Sequence, residues 1–245
     1  HKSYWRAGYG PRLRGTGKDP YVLDQLRWAV NELKARPNSR RAIITLHFPE
    51  IDAANATKID WPCTVVLNFL VGEGKLDLTV YMRSNDILWG CFGINIFCFT
   101  VIQELVAELT GLPLGQYYHI ANSLHYYTEF EKRFEKMREP LWTGHIPDPY
   151  VAYPPITHEE KLSYIEELDA ALNMFFVTEY ALRRHQDALG DIVPVGCLID
   201  LLWAVIAYTS YKVGLEGVAG KIVDPHVRQG VIDCIARERK AKEGK

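Results

Sequence analysis

Two residues bracket the stretch Trp61–Asp86, WPCTVVLNFLVGEGKLDLTVYMRSND, and both could do covalent chemistry: Cys63, directly after Pro62, and Arg83, opening an Arg-Ser-Asn-Asp run. A thiolate is the nucleophilic form of cysteine, and a neighbouring guanidinium favours it, so a cysteine beside an arginine can act as an activated sulfur. A buried structural cysteine next to a surface arginine is the alternative, and these two residues alone leave both readings open. The segment between them decides whether they meet. Val65, Leu67, Phe69 and Val71 alternate with their neighbours, and Leu76, Leu78 and Val80 do so again beyond Gly72 and Gly74. A period of two interrupted by glycines predicts a β-hairpin, whose outer ends are Cys63 and Arg83.

Other residues could join that site only if flanking elements place them there. Leu23, Leu26, Val30 and Leu33 fall at helical spacing, with Asp19 as cap and Pro20 at the first position, and Pro37-Asn38 ends the run. Ser39-Arg40-Arg41 then leads into a strand expected over 42–48. Adjacent arginines in that setting are solvated charge or a phosphate site. Residues 87–95 are rich in glycine and aromatics and read as a lining segment. Ile96–Thr110 reads as an apolar core helix stopped by Gly111 and Pro113. A strand at 117–120 would deliver His125 and Tyr127, either to a pocket or to satisfied positions in the core.

The remainder of the chain is organised around these elements. Residues 1–20 read as irregular, and the absence of an opening methionine raises the expectation of a missing N-terminal part. A charged helix is expected at 129–138, and five prolines between 140 and 155 mark a connecting segment. Helices follow at about 158–189, 198–211 and 225–239. This gives two regions, 1–150 as a catalytic core and 151–245 as a helical extension.

The chain has 245 residues, 48% hydrophobic and 24% charged, enough for one large or two small domains. A net charge of −2 gives no electrostatic case for nucleic acid as the main partner. Five cysteines, an odd number without regular spacing, argue against a disulfide framework and for a reducing compartment. No Cys-x-x-Cys or paired His/Cys spacing calls for a metal. With neither a signal peptide nor a long uncharged apolar run in view, the expectation is a cytoplasmic protein without a membrane partner.

Taken in order, Tyr9-Gly10, Ser39-Arg40-Arg41, Pro62-Cys63, Arg83-Ser84-x-Asp86, Gly90, Asn95-Ile96 and His125-x-Tyr127 resemble the thymidylate synthase superfamily over about half of the chain. Cys63-Thr64, Met82-Arg83-Ser84-Asn85-Asp86 and Asn122-Ser123-Leu124-His125 differ from ordinary synthases and look like the cytidylate hydroxymethylase branch. Within it, the bacterial CMP 5-hydroxymethylases of mildiomycin-type antibiotic pathways are the most similar.

The resemblance implies a thymidylate synthase-like α/β fold, a large bent mixed sheet with helices on one face and a homodimer formed sheet to sheet. It implies that Cys63 adds to C6 of a pyrimidine nucleoside monophosphate, which makes C5 able to attack the methylene of 5,10-methylenetetrahydrofolate, with water completing a hydroxymethyl group. CMP or dCMP is the implied substrate. Arg83 and Ser84 would hold the phosphate, with Arg40 and Arg41 donated across the interface. His125 and Tyr127 would bind the sugar, Asp86 the folate pterin, and Asn95 the base. Counting from Asp86 lands on Ile94, so assigning Asn95 demands a one-residue insertion near Gly93. An asparagine amide can accept from a cytosine 4-amino group or donate to a uracil 4-oxygen, so Asn95 does not by itself choose the base. The family's proton-relay glutamate and a further phosphate arginine precede Tyr9 and have no counterpart here. A synthase-like methyltransferase acting on dUMP and a non-catalytic nucleotide-binding dimer are the rival readings.

Overall fold

A computed structural model of the chain describes residues 7–15, 23–55, 60–142, 161–184, 198–215, 217–222 and 225–243. The chain divides into two compact units, His1–Tyr153 and Pro154–Lys245. In the first, α1 (Tyr9–Arg14) and α2 (Gln25–Ala35) lead to an edge strand β1 (Ile43–Thr45), a one-turn α3 (Pro49–Asp52) and the hairpin β2 (Thr64–Gly72) and β3 (Lys75–Met82). Next come β4 (Asn85–Asp86), a π-helical stretch Ile87–Asn95 running directly into α4 (Ile96–Thr110), then β5 (Leu114–Ala121), β6 (Leu124–His125) and α5 (Glu131–Trp142). The second unit holds α6 (Ile165–Arg183), α7 (Ile199–Lys212) and α8 (Pro225–Glu243).

The hairpin forms as its alternation requires. Glu73 and Gly74 both take positive φ, 51° and 76°, the two-residue turn whose twist matches paired strands. The sheet order is β1-β2-β3-β5, antiparallel except for the β3–β5 pair, so the sheet is mixed. One face buries Ile44, Leu67, Phe69, Leu76, Leu78, Val80 and Met82. Against it lie Leu26, Ala29, Val30 and Leu33 of α2 and Phe99, Leu105, Val106 and Leu109 of α4. The opposite face carries the cross-strand rows Ile43–Asn68–Thr79–Tyr118 and Thr45–Val66–Tyr81–Ile120, of which Ile43, Tyr118 and Ile120 are exposed. On the outer side of β1, the Gln25 amide both donates to and accepts from Thr45 backbone, at 2.8 and 2.9 Å, which satisfies an edge that would otherwise stay open.

Several expectations are corrected. Residues 9–14 are helical rather than irregular, and α2 starts at Gln25, capped by Asp24 accepting from Arg27 N–H at 3.0 Å. Leu23, expected on the core face, lies outside the helix and is 57% exposed; Asp19 and Pro20 are outside the described residues. β1 covers three residues of the expected 42–48. The stretch 87–95, read as a lining segment, is π-helical, and joined to α4 it makes a 24-residue apolar helical run. Residues 87–103 carry no charge, so the expected lack of a long uncharged apolar run is corrected, and α4 packs on the sheet and on α2. Nor is the run wholly core: Trp89 and Phe92 are 71% and 73% exposed, and Phe97 is exposed too. α5 runs through Pro140 to Trp142, while the other expected linker prolines fall outside the described residues. α6 begins at Ile165, seven residues later than the expected start at His158 because residues 161–164 are not helical.

A buried ion pair ties α1 to this sheet. Arg12 and Asp52 are 5% and 0% exposed and share two bonds of 2.8 Å. Arg12 also donates to the Leu46 carbonyl at 2.6 Å, and Asp52 accepts from Phe48 N–H at 2.8 Å. Burial pushes the Asp52 carboxyl upward, but the guanidinium and the Phe48 N–H outweigh it and hold it below its ordinary value. Breaking such a pair strands a charge in the core. Arg12→Ala is therefore expected to lower unfolding free energy by about 3–5 kcal/mol. A carboxylate depressed on folding stabilises above its unfolded pKa, and that contribution is lost as pH falls through the lower folded value. Urea titrations of wild type and Arg12→Ala from pH 7 downward should thus converge in acid.

Candidate active site

The paired ends of β2 and β3 bring Cys63 and Arg83 together. Arg83 N–H donates to the Cys63 carbonyl at 2.9 Å. Its side chain turns back along the same segment, donating from Nε to Pro62 O at 3.0 Å and from Nη2 toward Trp61 O at 3.5 Å, with Nη2 4.0 Å from Cys63 Sγ. Cys63 is half-buried and not disulfide-bonded, and Arg83 is exposed. Neither is lodged in packed hydrocarbon. The register slips between Thr64 and Val66, a β-bulge one residue beyond the cysteine. Such a bulge bends a strand and re-aims its side chains. The extra Val65 carbonyl is taken by Leu46 N–H at 2.8 Å.

From behind, α1 reaches the same place. Tyr9 Oη accepts from Thr64 N–H at 3.0 Å and lies 3.0 Å from Thr64 Oγ1. Its ring stacks on Phe99 of α4 at 6.3 Å. The residue that follows Cys63 is thus held by a hydroxyl pair anchored to a helix, and the Arg12–Asp52 pair three residues along fixes that helix.

The other motif residues arrive through the short parallel pair β4–β6, which sets Asn85 opposite Leu124 and Asp86 opposite His125. Asn85 N–H donates to Ser123 O at 2.8 Å, and Asn122 N–H to Met82 O at 2.9 Å. His125 Nδ1 donates to Ser123 O at 3.2 Å, and its ring meets Tyr127 edge-on at 5.4 Å. Ser84 lies between Arg83 and this pair, half-buried. Asp86 Oδ1 caps the π-helical stretch by accepting from Trp89 and Gly90 N–H, while its Oδ2 is buried with no partner among the described residues.

Beneath the motif runs a polar chain that sequence reading did not find. Asn95 Nδ2 donates to Asn85 Oδ1 and Met82 Sδ, both at 3.2 Å. Asn85 Nδ2 lies 2.8 Å from His119 Nε2, and His119 Nδ1 lies 2.7 Å from Tyr117 Oη. Burial lowers the pKa of His119 and raises that of Tyr117, to which the nearby Cys91 thiol adds. Both groups are therefore neutral at pH 7. A Cβ at Gly90 would stand 2.3 Å from Asn85 Oδ1, so glycine is required where the helix crosses this amide. Ile94 is exposed whereas Asn95 turns inward. The available signal was Tyr117 and His119 two apart on one strand, hence on one face.

Arg40 and Arg41 are not brought to this cluster. They precede β1, where Phe69 N–H donates to Ala42 O at 2.9 Å, so they lie level with the far end of β2. At about 3.3 Å per strand residue, that is roughly 20 Å from Cys63. Both are exposed. Among the described residues no group of three or more His, Cys, Asp or Glu could hold a metal ion.

A family model described as thymidylate synthase matches residues 5–186. A deoxyuridylate hydroxymethyltransferase of Bacillus phage SP01 is 40% identical over 132 residues, 51% of this chain and 34% of that protein. The protein of the same description from Delftia phage PhiW-14 is 35% identical over 136 residues, covering 52% of this chain and 36% of its own length. That of Pseudomonas phage M6 is 29% identical over 182 residues, covering 68% and 50%. The chain thus spans no more than half the length of these curated relatives. Among solved structures, the thermostable thymidylate synthase A of Bacillus subtilis is matched at a TM-score of 0.45 and 30% identity, over 53% of this chain and 46% of that one. The family match takes in α1, the mixed sheet, the Cys63–Arg83 pair and the β4–β6 motif together, and the chain belongs to the thymidylate synthase family.

Proposed function

We propose that the chain is a pyrimidine nucleoside monophosphate 5-hydroxymethylase that takes its one-carbon unit from 5,10-methylenetetrahydrofolate. The observation that carries this reading is Arg83 Nη2 4.0 Å from Sγ of the half-buried, free Cys63, on a strand end buttressed by Tyr9. The thiolate adds to C6, C5 gains enamine or enolate character and bonds to the folate methylene, and tetrahydrofolate leaves as C5 gives up its proton to solvent. Water adds to the resulting exocyclic methylene and the sulfur is expelled. Choosing water over a hydride is supported by the hydroxymethyltransferase names of the phage proteins. Arg83 and Ser84 take the phosphate, His125 and Tyr127 the sugar, and Asp86, with one orphaned carboxylate oxygen, fits the pterin contact. The π-helical stretch supports reading Asn95 as the base contact, because its wider turns take up the one extra residue near Gly93. The motif Met82–Asp86 keeps CMP or dCMP as the leading substrate, with kinship to the antibiotic-pathway CMP enzymes. The relatives' names favour deoxyuridylate as the second reading.

We further propose a homodimer packed through the open sheet face. Ile43, Leu70, Tyr118 and Ile120 are exposed there as an apolar surface that a second copy would cover. The roughly 20 Å between Cys63 and the Arg40-Arg41 pair supports donation of those arginines to the other subunit's phosphate.

With nucleotide and methylenetetrahydrofolate, the expected products are the 5-hydroxymethyl nucleotide and tetrahydrofolate, without the absorbance rise of dihydrofolate; that rise would make the enzyme a synthase. Cys63→Ala should lose turnover by at least about a thousandfold while still binding nucleotide, and unchanged turnover would exclude covalent catalysis. Tyr118→Glu combined with Ile120→Asp should convert a dimer to monomer in sedimentation velocity; a monomeric wild type would remove the shared-site reading.

A further inference from the structure

The geometry points to the buried chain Asn85–His119–Tyr117, together with Met82, as the device that sets which base the site accepts. It does so by fixing the orientation of the Asn95 amide with its oxygen outward. This rests on the reading of Asn95 as the base contact. An asparagine can turn either end toward a ligand, so its orientation must come from what surrounds it.

Met82 Sδ breaks the symmetry. A thioether sulfur accepts hydrogen bonds and cannot donate them, so the Asn95 atom 3.2 Å from it is the nitrogen. The same nitrogen donates to Asn85 Oδ1 at 3.2 Å, so it has two acceptors within the protein. Each later link follows from this one. With its oxygen accepting from Asn95, Asn85 presents Nδ2 to His119 Nε2 at 2.8 Å, which makes Nε2 the acceptor. A neutral imidazole then carries its proton on Nδ1 and donates to Tyr117 Oη at 2.7 Å. Burial keeps His119 in the neutral form this polarity needs. Glycine at position 90 is what lets Asn85 sit here, since any side chain there would collide with its oxygen.

An amide reads uracil with both ends, nitrogen to the 4-oxygen and oxygen to the N3 hydrogen. With the nitrogen committed inward, only an acceptor is left. That serves the 4-amino group of cytosine and leaves the uracil 4-oxygen facing no donor, which a desolvated site penalises. Asn85, His119, Tyr117 and Met82 are positioning residues, since each acts through Asn95.

The test is competitive binding of CMP, dCMP, UMP and dUMP to the full chain, followed by the same series with variants. Wild type should prefer cytosine over uracil by about tenfold or more at matched sugar. Met82→Leu, which keeps the volume and removes the acceptor, frees one N–H and should pull the ratio to within about threefold. Asn85→Asp keeps an acceptor facing Asn95 and should retain the preference. A general loss of stability would weaken all four nucleotides together and leave the ratio unmoved. A wild type that favours uracil, or a ratio indifferent to Met82→Leu, overturns the inference while leaving the hydroxymethylase reading standing. Failure to bind any of the four overturns both.

Discussion

The geometry of the site depends on one short stretch of antiparallel pairing, the closing rung between Cys63 and Arg83. Twenty residues separate them in sequence, and the Glu73-Gly74 turn determines how they are matched. A slip of one residue would turn every side chain of β2 to the opposite face. That slip is opposed by the buried row on β2 and β3, where Leu67, Phe69, Leu78 and Val80 are fully buried on the face that α4 packs against. Hydrophobic packing on one side of the sheet therefore sets the chemistry at its end. The bulge at Val65 then adjusts the aim of Cys63 without disturbing the rest of the register.

Around that rung, the site is held by polar contacts from three directions. Tyr9 holds Thr64 from α1, and α1 is held in turn by the buried Arg12–Asp52 pair. The β4–β6 pair lines up the residues after Arg83 with those before His125. The π-helical stretch delivers Asn95 to Asn85 and Met82. Each contact comes from a different element, so the cluster is a junction rather than a property of the hairpin alone.

The hairpin and its meeting of Cys63 with Arg83 were legible because alternation and a two-glycine turn are local signals. The ordered family motifs likewise gave the mixed sheet with its helices. What stayed hidden depended on non-local partners. Six residues of α1 are too few to show a period, and Arg12 gave no sign of burial because its partner lies forty positions away. The stretch 87–95 read as a lining segment because glycine and aromatics suit loops, whereas the structure makes it helical with five-residue hydrogen-bond spacing. Asn85 was read as part of a motif without a task, since its role appears only when β5 places His119 beside it.

Placing Cys63 at one end of β2 and Arg40-Arg41 at the other has a genetic consequence in the proposed dimer. A copy without its sulfur and a copy without its paired guanidiniums would each be inert alone, yet mixed they would rebuild one whole pocket between them. Selection on such a dimer would act on the couple rather than the individual polypeptide, because a lesion in one gene copy would be felt in the neighbour's cleft.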